Sequence, residues 1–376
     1  MRYVMFTKHL QTLSIREAGE TIKSLGFDGV ELTVRPGGHI LPQNVDEELP
    51  RAVETLGEIG LGVPALVVEI HNRGEEYAAA VCRAAGKAGA TVLRTSSARY
   101  RQFGSIREQI EAARKDARDL ESLGEEFGVR LCIHTHSGDF LSSNGPLLSM
   151  VIDGTDPRFV GCSLDLGHLT TEGGKSGWRQ SIDLLQQRVG IVAVKSFGWF
   201  YEPDPKTGEM VWNAKLVPLD EGNVRWRQAF ELLRQVGWDA NGQALVSVHS
   251  EYQGGGSWRS LEVPELVEQT RQDFAYLKQQ SQVAAPAAQR PQVKRASRPG
   301  QRASISARSY SSSAVPAPRV RALLMIPRRT RTALAEATPA RRSRFRAGCK
   351  RVCSSRASAS LPDSQRSKTL ETTSVY

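Results

Sequence analysis

An α/β fold of the (β/α)8 TIM-barrel type, followed by a disordered basic tail, is the architecture this sequence predicts. Three observations carry it. Short β-rich apolar runs alternate with amphipathic helical stretches eight times in about 250 residues, the count and length of a (β/α)8 barrel. Glycines close most of the helical stretches just before the next apolar run. Polar and ionisable residues gather where each run ends, which in a barrel is the active-site face.

The elements follow in order. Tyr3–Thr7 reads as the first strand, and Ser14 with Glu17 forms a capping box that opens a helix over Ser14–Leu25. Gly26 ends it before the strand Gly29–Thr33, and Gly60 ends the helix Asp46–Ile59 before Pro64–Glu69. The helix Glu75–Ala88, closed by Gly89, leads to Thr91–Thr95; Ser105–Phe127, closed by Gly128, leads to Arg130–Thr135. The next connection is the weakest, with Asn144–Val151 as a short helix before Val160–Asp165. Trp178–Arg188 precedes Ile191–Lys195, and Val224–Val236, closed by Gly237, precedes Leu245–His249. Glu262–Lys278 is the final helix. A doubly wound open sheet uses the same alternation but favours a glycine-rich turn after its first strand, where Thr7-Lys8-His9 stands instead. Gly174-Lys175-Ser176 imitates the end of a phosphate loop, yet Leu169 occupies the position that loop gives to glycine.

Charge divides the chain. The 376 residues carry a net charge of +10, but from Ser281 onward 20 basic residues face only Glu336, Asp363 and Glu371. Residues 1–280 therefore hold 30 bases against 37 acids. All 6 Trp and all 7 His lie in that acidic body. The tail, rich in Arg, Ser, Ala and Pro, has almost no aromatic residues to build a core, so residues 281–376 are expected to be disordered and residues 1–280 to form the barrel. Nucleic acid is expected as a partner only through this tail. The run Val320–Pro327 is too short to span a bilayer, so no membrane association is expected. The start has no signal-peptide organisation and the Cys spacing suggests no disulfide framework, which makes a cytoplasmic enzyme the default. A homo-oligomer is compatible with all of this.

Every His except His39 lies within three residues of a strand end. Lys8 and His9, Glu31 and Arg35, Glu69 and His71, Arg94 and Ser96 come first along the chain; His134 and His136, Asp165 and His168, Lys195, then His249 and Glu251 follow. On a strand, residues two apart share a face, so His134 and His136 point the same way, as do His249 and Glu251. Asp165 ends an apolar run, where an unpaired carboxylate would be costly and a cation is its natural partner. Imidazole nitrogen with carboxylate oxygen suits Mn, Zn, Co or Fe better than Ca. A buried salt-bridge network, with Asp165 paired to Lys195 or His168, is the alternative.

Five segments resemble the xylose-isomerase-like TIM-barrel superfamily of sugar phosphate isomerases and epimerases: Gly26–Leu32, Val129–His134, Leu164–His168, Val192–Lys195 and Val246–Glu251. The resemblance covers roughly residues 1–280 and none of the tail. It implies one divalent metal bound by Glu, Asp, His and Glu from the last four strands. Asp165 keeps the Asp position and His168 matches the usual substrate-contacting His. His134 stands at the first Glu, Ala193 at the His, and His249 at the last acid position with Glu251 two residues on. The metal set read from this is His134, Asp165, His249 and Glu251. The implied chemistry moves a proton next to a carbonyl through a metal-stabilised enediolate, with Glu251 and His134 as catalytic groups. His136, His168, Lys195, Glu31 and Arg35 are then the substrate-binding residues, and Trp199 and Phe200 offer an apolar wall or plain loop packing. Two other functions remain open: a non-catalytic sugar-binding barrel, and an enzyme like endonuclease IV acting on nucleic acid.

Overall fold

The computed structural model describes residues 1–282. Its elements are β1 (Arg2–Phe6), α1 (Ile15–Ser24), β2 (Gly29–Thr33), α2 (Val45–Glu58), β3 (Gly62–Val67), α3 (Ala78–Ala88), β4 (Val92–Thr95), α4 (Ile106–Phe127), β5 (Arg130–His134) and α5 (Gly145–Ile152). They continue with β6 (Val160–Asp165), α6 (Leu166–Gly173), α7 (Gly177–Leu185), β7 (Val189–Val194), β8 (Ser196–Pro203), β9 (Met210–Val217), α8 (Trp226–Gln235), β10 (Leu245–Val248) and α9 (Val263–Gln282). β1 to β7 and β10 form a closed parallel barrel, sealed where Met5 of β1 pairs with Val248 of β10. The predicted (β/α)8 architecture is the observed one.

Local chemistry places the elements. Ser14 accepts the Glu17 backbone N–H while Glu17 accepts the Ser14 backbone N–H, the capping box that starts α1. Gly89 and Gly128 stop α3 and α4 with φ of 75° and 68°, a left-handed conformation that side chains resist. Several elements differ from expectation. α6 starts directly at the end of β6, with Asp165 as its N-cap accepting the His168 backbone N–H at 3.0 Å. After β7 the chain makes an antiparallel hairpin, β8 with β9, where a loop was expected. Trp199, Tyr201, Met210 and Trp212 of this hairpin are exposed. The final helix also runs past the expected barrel end at residue 280. Ser281 is buried and its hydroxyl lies 2.6 Å from that of Tyr3. The rest of the tail expected to be disordered, from residue 283, lies outside the described residues. Among those described, no helix is long and apolar enough to cross a membrane.

Strand alternation sorts the barrel interior into layers. Ala65, Val92, Cys132, Ile191 and Leu245 form a buried apolar plug, and burial pushes the Cys132 thiol up to about 11. Two residues further along three of these strands the inward positions become polar: Arg94, His134 and Ser247 follow Val92, Cys132 and Leu245, whereas Val67 and Ala193 keep β3 and β7 apolar. Closed at one end by apolar packing, the barrel concentrates its buried charge toward the strand C-termini.

A second buried carboxyl stabilises the loop after β9. Asp273 of α9 accepts the Leu219 backbone N–H at 3.0 Å and the Tyr252 hydroxyl. Burial raises its carboxyl to about 6. Because the folded-state value is raised, this group's contribution is fully present at pH below the ordinary carboxylate range and is lost as pH rises through about 6. Asp273→Asn keeps the acceptor for Leu219 and supplies a donor for the Tyr252 oxygen. Thermal unfolding of this variant is expected to show a higher midpoint than wild type at pH 8, by about 1–2 kcal/mol in stability, and little difference at pH 4.

Candidate active site

The polar end of the barrel is built from one residue or more of most strands. His134 ends β5, Asp165 ends β6, Lys195 follows β7, and His249 and Glu251 follow β10. Asp165 is fully buried, and three groups face its Oδ2: His134 Nε2 at 3.5 Å, Lys195 Nζ at 3.3 Å and His168 Nε2 at 4.0 Å. One ligand atom each from His134, Asp165 and His168 lies within 4.8 Å of the others. The far side of each ring is already held: His134 Nδ1 sits 3.1 Å from the Ser163 hydroxyl, and His168 Nδ1 sits 2.8 Å from that of Ser137. Such outer contacts fix ring orientation and leave Nε2 free to bind.

Burial, reinforced by the Arg94 and Lys195 charges, holds the His134 imidazole neutral; burial and Lys195 do the same to His168. Asp165 Oδ2 and His168 Nε2 are both buried and have no hydrogen-bond partner. Asp165 Oδ2 already has the Lys195 ammonium 3.3 Å away, the ion pair expected as the alternative to a metal, while the lone pair of the neutral His168 Nε2 is unmet and open to a cation. The spacing of the trio's ligand atoms approaches that of donors about 2.0–2.2 Å from one shared ion, so the trio fits a divalent metal. The donor set of two imidazoles and one carboxylate favours Zn, Co, Fe or Mn over the oxygen-seeking Mg and Ca.

The grouping differs from the one read off the sequence. His249 turns away from Asp165: its Nε2 lies 3.2 Å from Glu31 Oε2. Glu251 is held by two lysines, accepting from Lys195 at 2.7 Å and from Lys8 at 3.1 Å. Lys195 thus stands between Asp165 and Glu251, bonded to both carboxylates. Burial works to raise the Glu251 carboxyl, but Lys195 and Lys8 outweigh it and hold Glu251 well below the usual range. Burial lowers the Lys195 ammonium, and Asp165 with Glu251 reverses this and raises it. His168, expected to contact substrate, lies with its ligand atom within 4.8 Å of those of His134 and Asp165.

Glu31, expected to bind substrate, is committed to three other side chains. It is fully buried and bonded to Arg94 Nε at 2.7 Å, the Ser247 hydroxyl at 2.6 Å and His249. Burial alone would raise its carboxyl; Arg94 and His249 bring it down to about 2. Arg94 also lies 4.3 Å from the centre of the Phe6 ring, against which His249 packs. Arg35 lies at the rim with Glu69 3.8 Å away, and is partly exposed. His136 donates through Nδ1 to the Ser137 carbonyl at 2.8 Å and stacks on His168 at 3.9 Å. Burial and the Lys195 charge lower its imidazole to about 4. Ser163, Ser137 and Ser247 are parts of this site that the sequence reading passed over. Ser163 lies two residues before Asp165 and Ser247 two before His249, so strand alternation was the signal that pointed to both. Phe197, at the base of the hairpin, packs 5.2 Å from the His168 ring, whereas Trp199 stands exposed further along.

A sequence model of the family described as xylose isomerase-like TIM barrel matches residues 20–280. No curated protein matches the chain. Among solved structures, that of L-ribulose 3-epimerase is similar at a TM-score of 0.54 and 15% identity, over 74% of this chain and 94% of that one. D-Psicose 3-epimerase, solved in the presence of D-fructose, gives 0.52 and 13% identity over 75% and 99% of the two chains. A xylose isomerase-like TIM barrel protein from Mycobacterium smegmatis in complex with magnesium gives 0.52 and 15% identity over 74% and 97%. At such identities these structures share the fold.

Proposed function

The chain belongs to the xylose isomerase-like TIM-barrel family, and from that premise we propose that it is a sugar isomerase or epimerase that moves a proton on a carbon beside a carbonyl. The observation that carries this reading is the meeting, at one end of the barrel, of a buried His–Asp–His donor trio with a carboxylate held ionised by two lysines. Sugar epimerases among its structural neighbours agree with it.

His134, Asp165 and His168 are the residues that would hold a divalent ion. When bound there, the ion supplies positive charge to the oxygens flanking the reacting carbon. Glu251 takes the proton and returns it, and its ionised form is the one that can accept. His136 is the second base: its Nδ1 is committed to the Ser137 carbonyl, so the lone pair of a neutral ring sits on Nε2. His134, ringed by Ser163 and Asp165, serves as a ligand rather than as a base. Lys195 places its ammonium against Glu251 and Asp165, positioning the carboxylate and donating to a substrate oxygen. Lys8 and Arg35, both partly exposed, face the incoming sugar.

The test is incubation of the metal-loaded full-length protein with D-fructose, D-psicose, D-tagatose and L-ribulose, and separation of the products. Interconversion of one sugar with its epimer or aldose isomer supports the reading. Absence of any product, together with absence of sugar binding, contradicts it. Binding without turnover favours the non-catalytic barrel.

A further inference from the structure

A second polar cluster lies outside the barrel wall. Adjacent residues of β5 point to opposite sides, so Ile133 faces away from the interior that His134 enters. Ile133 lines a cavity of about 320 Å³, with Ala113, Ala117 and Leu120 of α4 and Val151 of α5 forming its apolar depth. Its polar wall comes from the loops after β3 and β4, as His71, Glu75 and Ser96, with Asp116 of α4 beside them. Neither the donor trio nor Lys195 nor Glu251 lines it.

The polar wall is ordered as a relay. His71 Nε2 lies 2.8 Å from the Ser96 hydroxyl, and His71 Nδ1 lies 3.0 Å from Glu75 Oε1. The other Glu75 oxygen accepts the His71 backbone N–H at 3.0 Å, which fixes the carboxylate against both ring and main chain. A carboxylate can only accept, so the ring proton sits on Nδ1 and the Ser96 hydroxyl donates to Nε2. This is the hydrogen-bond order of nucleophile, base and orienting acid that activates serine on unrelated folds. Ser96 is half-buried and opens onto the cavity. Arg99 and Arg101, both exposed, also line the cavity, with the Arg99 guanidinium 4.3 Å from the centre of the Phe140 ring.

We propose that Ser96, His71 and Glu75 form a second catalytic site, one that cleaves small carboxylic esters bearing a short aliphatic acyl group. The Ser96 oxygen bonds to the acyl carbon while its proton passes to His71. The bond from that carbon to the alcohol oxygen breaks, and the alcohol leaves with the proton from His71. Water then adds to the acyl-serine, giving up a proton to His71, and the carboxylic acid departs as the Ser96 hydroxyl is restored. The apolar depth of the cavity receives the acyl chain.

The experiment treats the full-length protein with a fluorophosphonate, which phosphonylates activated serines, and maps the labelled peptide by mass spectrometry. p-Nitrophenyl acetate hydrolysis is followed in parallel. Labelling at Ser96, unaffected by EDTA, is expected. Ser96→Ala should lose both label and turnover, His71→Asn should slow hydrolysis about 10²-fold or more, and Ser105→Ala should keep the wild-type rate. Label that is absent or falls on other serines overturns the proposal, as does a folded Ser96→Ala protein that hydrolyses the ester at the wild-type rate. Should Ser96→Ala fail to fold, wild-type labelling and the His71→Asn rate decide the matter.

Discussion

Replacing Asp165 with Ala is expected to abolish divalent-metal binding at the barrel mouth and to lower sugar turnover by about 10³-fold or more. Asp165 is the one carboxylate of the donor trio, and both imidazoles face its Oδ2. Without it, two neutral rings and the Lys195 ammonium would surround any incoming cation, and the remaining charge repels it. Asp165→Asn sharpens the comparison, because it keeps the side-chain volume and the cap on α6 while removing the charge. Metal content of the purified variants, read beside far-UV circular dichroism, checks the result. Wild type carrying about one Zn, Co, Fe or Mn per chain and both variants carrying none is the expected outcome.

The second large effect concerns stability. Glu31→Gln should destabilise the barrel by about 3–5 kcal/mol, lowering the thermal midpoint by roughly 10 °C. Arg94 is 7% exposed, and Glu31 is the carboxylate bonded to its guanidinium. Removing that carboxylate leaves a buried cation without its partner. It also frees Ser247 and His249, both of which bond to Glu31. The pH dependence follows from the same contacts. The Glu31 carboxyl is depressed to about 2, so its contribution is present above the ordinary carboxylate range and is lost as pH falls toward 2. Wild type should therefore lose part of its stability between about pH 4.5 and 2, and Glu31→Gln should lose less across that window. Urea unfolding at several pH values measures it.

The barrel was legible because each β-rich run carries its own pattern and each helix its own stop, and these are local properties of the chain. Gly89 and Gly128 need no distant contact to end α3 and α4. The hairpin of β8 and β9 escaped because Ser196 follows Lys195 without a break, and strand signals there merge with those of β7. α6 escaped for a similar reason, since Asp165 is at once the end of β6 and the N-cap of the helix.

For the site, the sequence identified the strand ends and offered the Asp165–Lys195 pair as an alternative to a metal, but not the other pairings across the barrel. His249 belongs with Glu31, 218 positions away, because the residue just after β10 meets an inward β2 residue beside Arg94. The nearness of His249 to Glu251 along the chain gave no hint of this. Lys195 divides Asp165 from Glu251 for the same kind of reason. The reach of a long side chain across the barrel axis is set by the closed sheet and not by local spacing. His71 shows the opposite case, since a strand-end position led outward to Ser96 rather than inward to the mouth.

The measurement that bears most directly on the proton-transfer reading is exchange with solvent deuterium at the carbon beside the carbonyl of a ketose, followed by NMR in D₂O. With the metal-loaded protein and a sugar from the tested panel that binds, stereospecific incorporation of one deuteron is expected, falling about 10²-fold or more in Glu251→Gln. A bound sugar that takes up no deuterium, or a Glu251→Gln protein that exchanges at the wild-type rate, would contradict it.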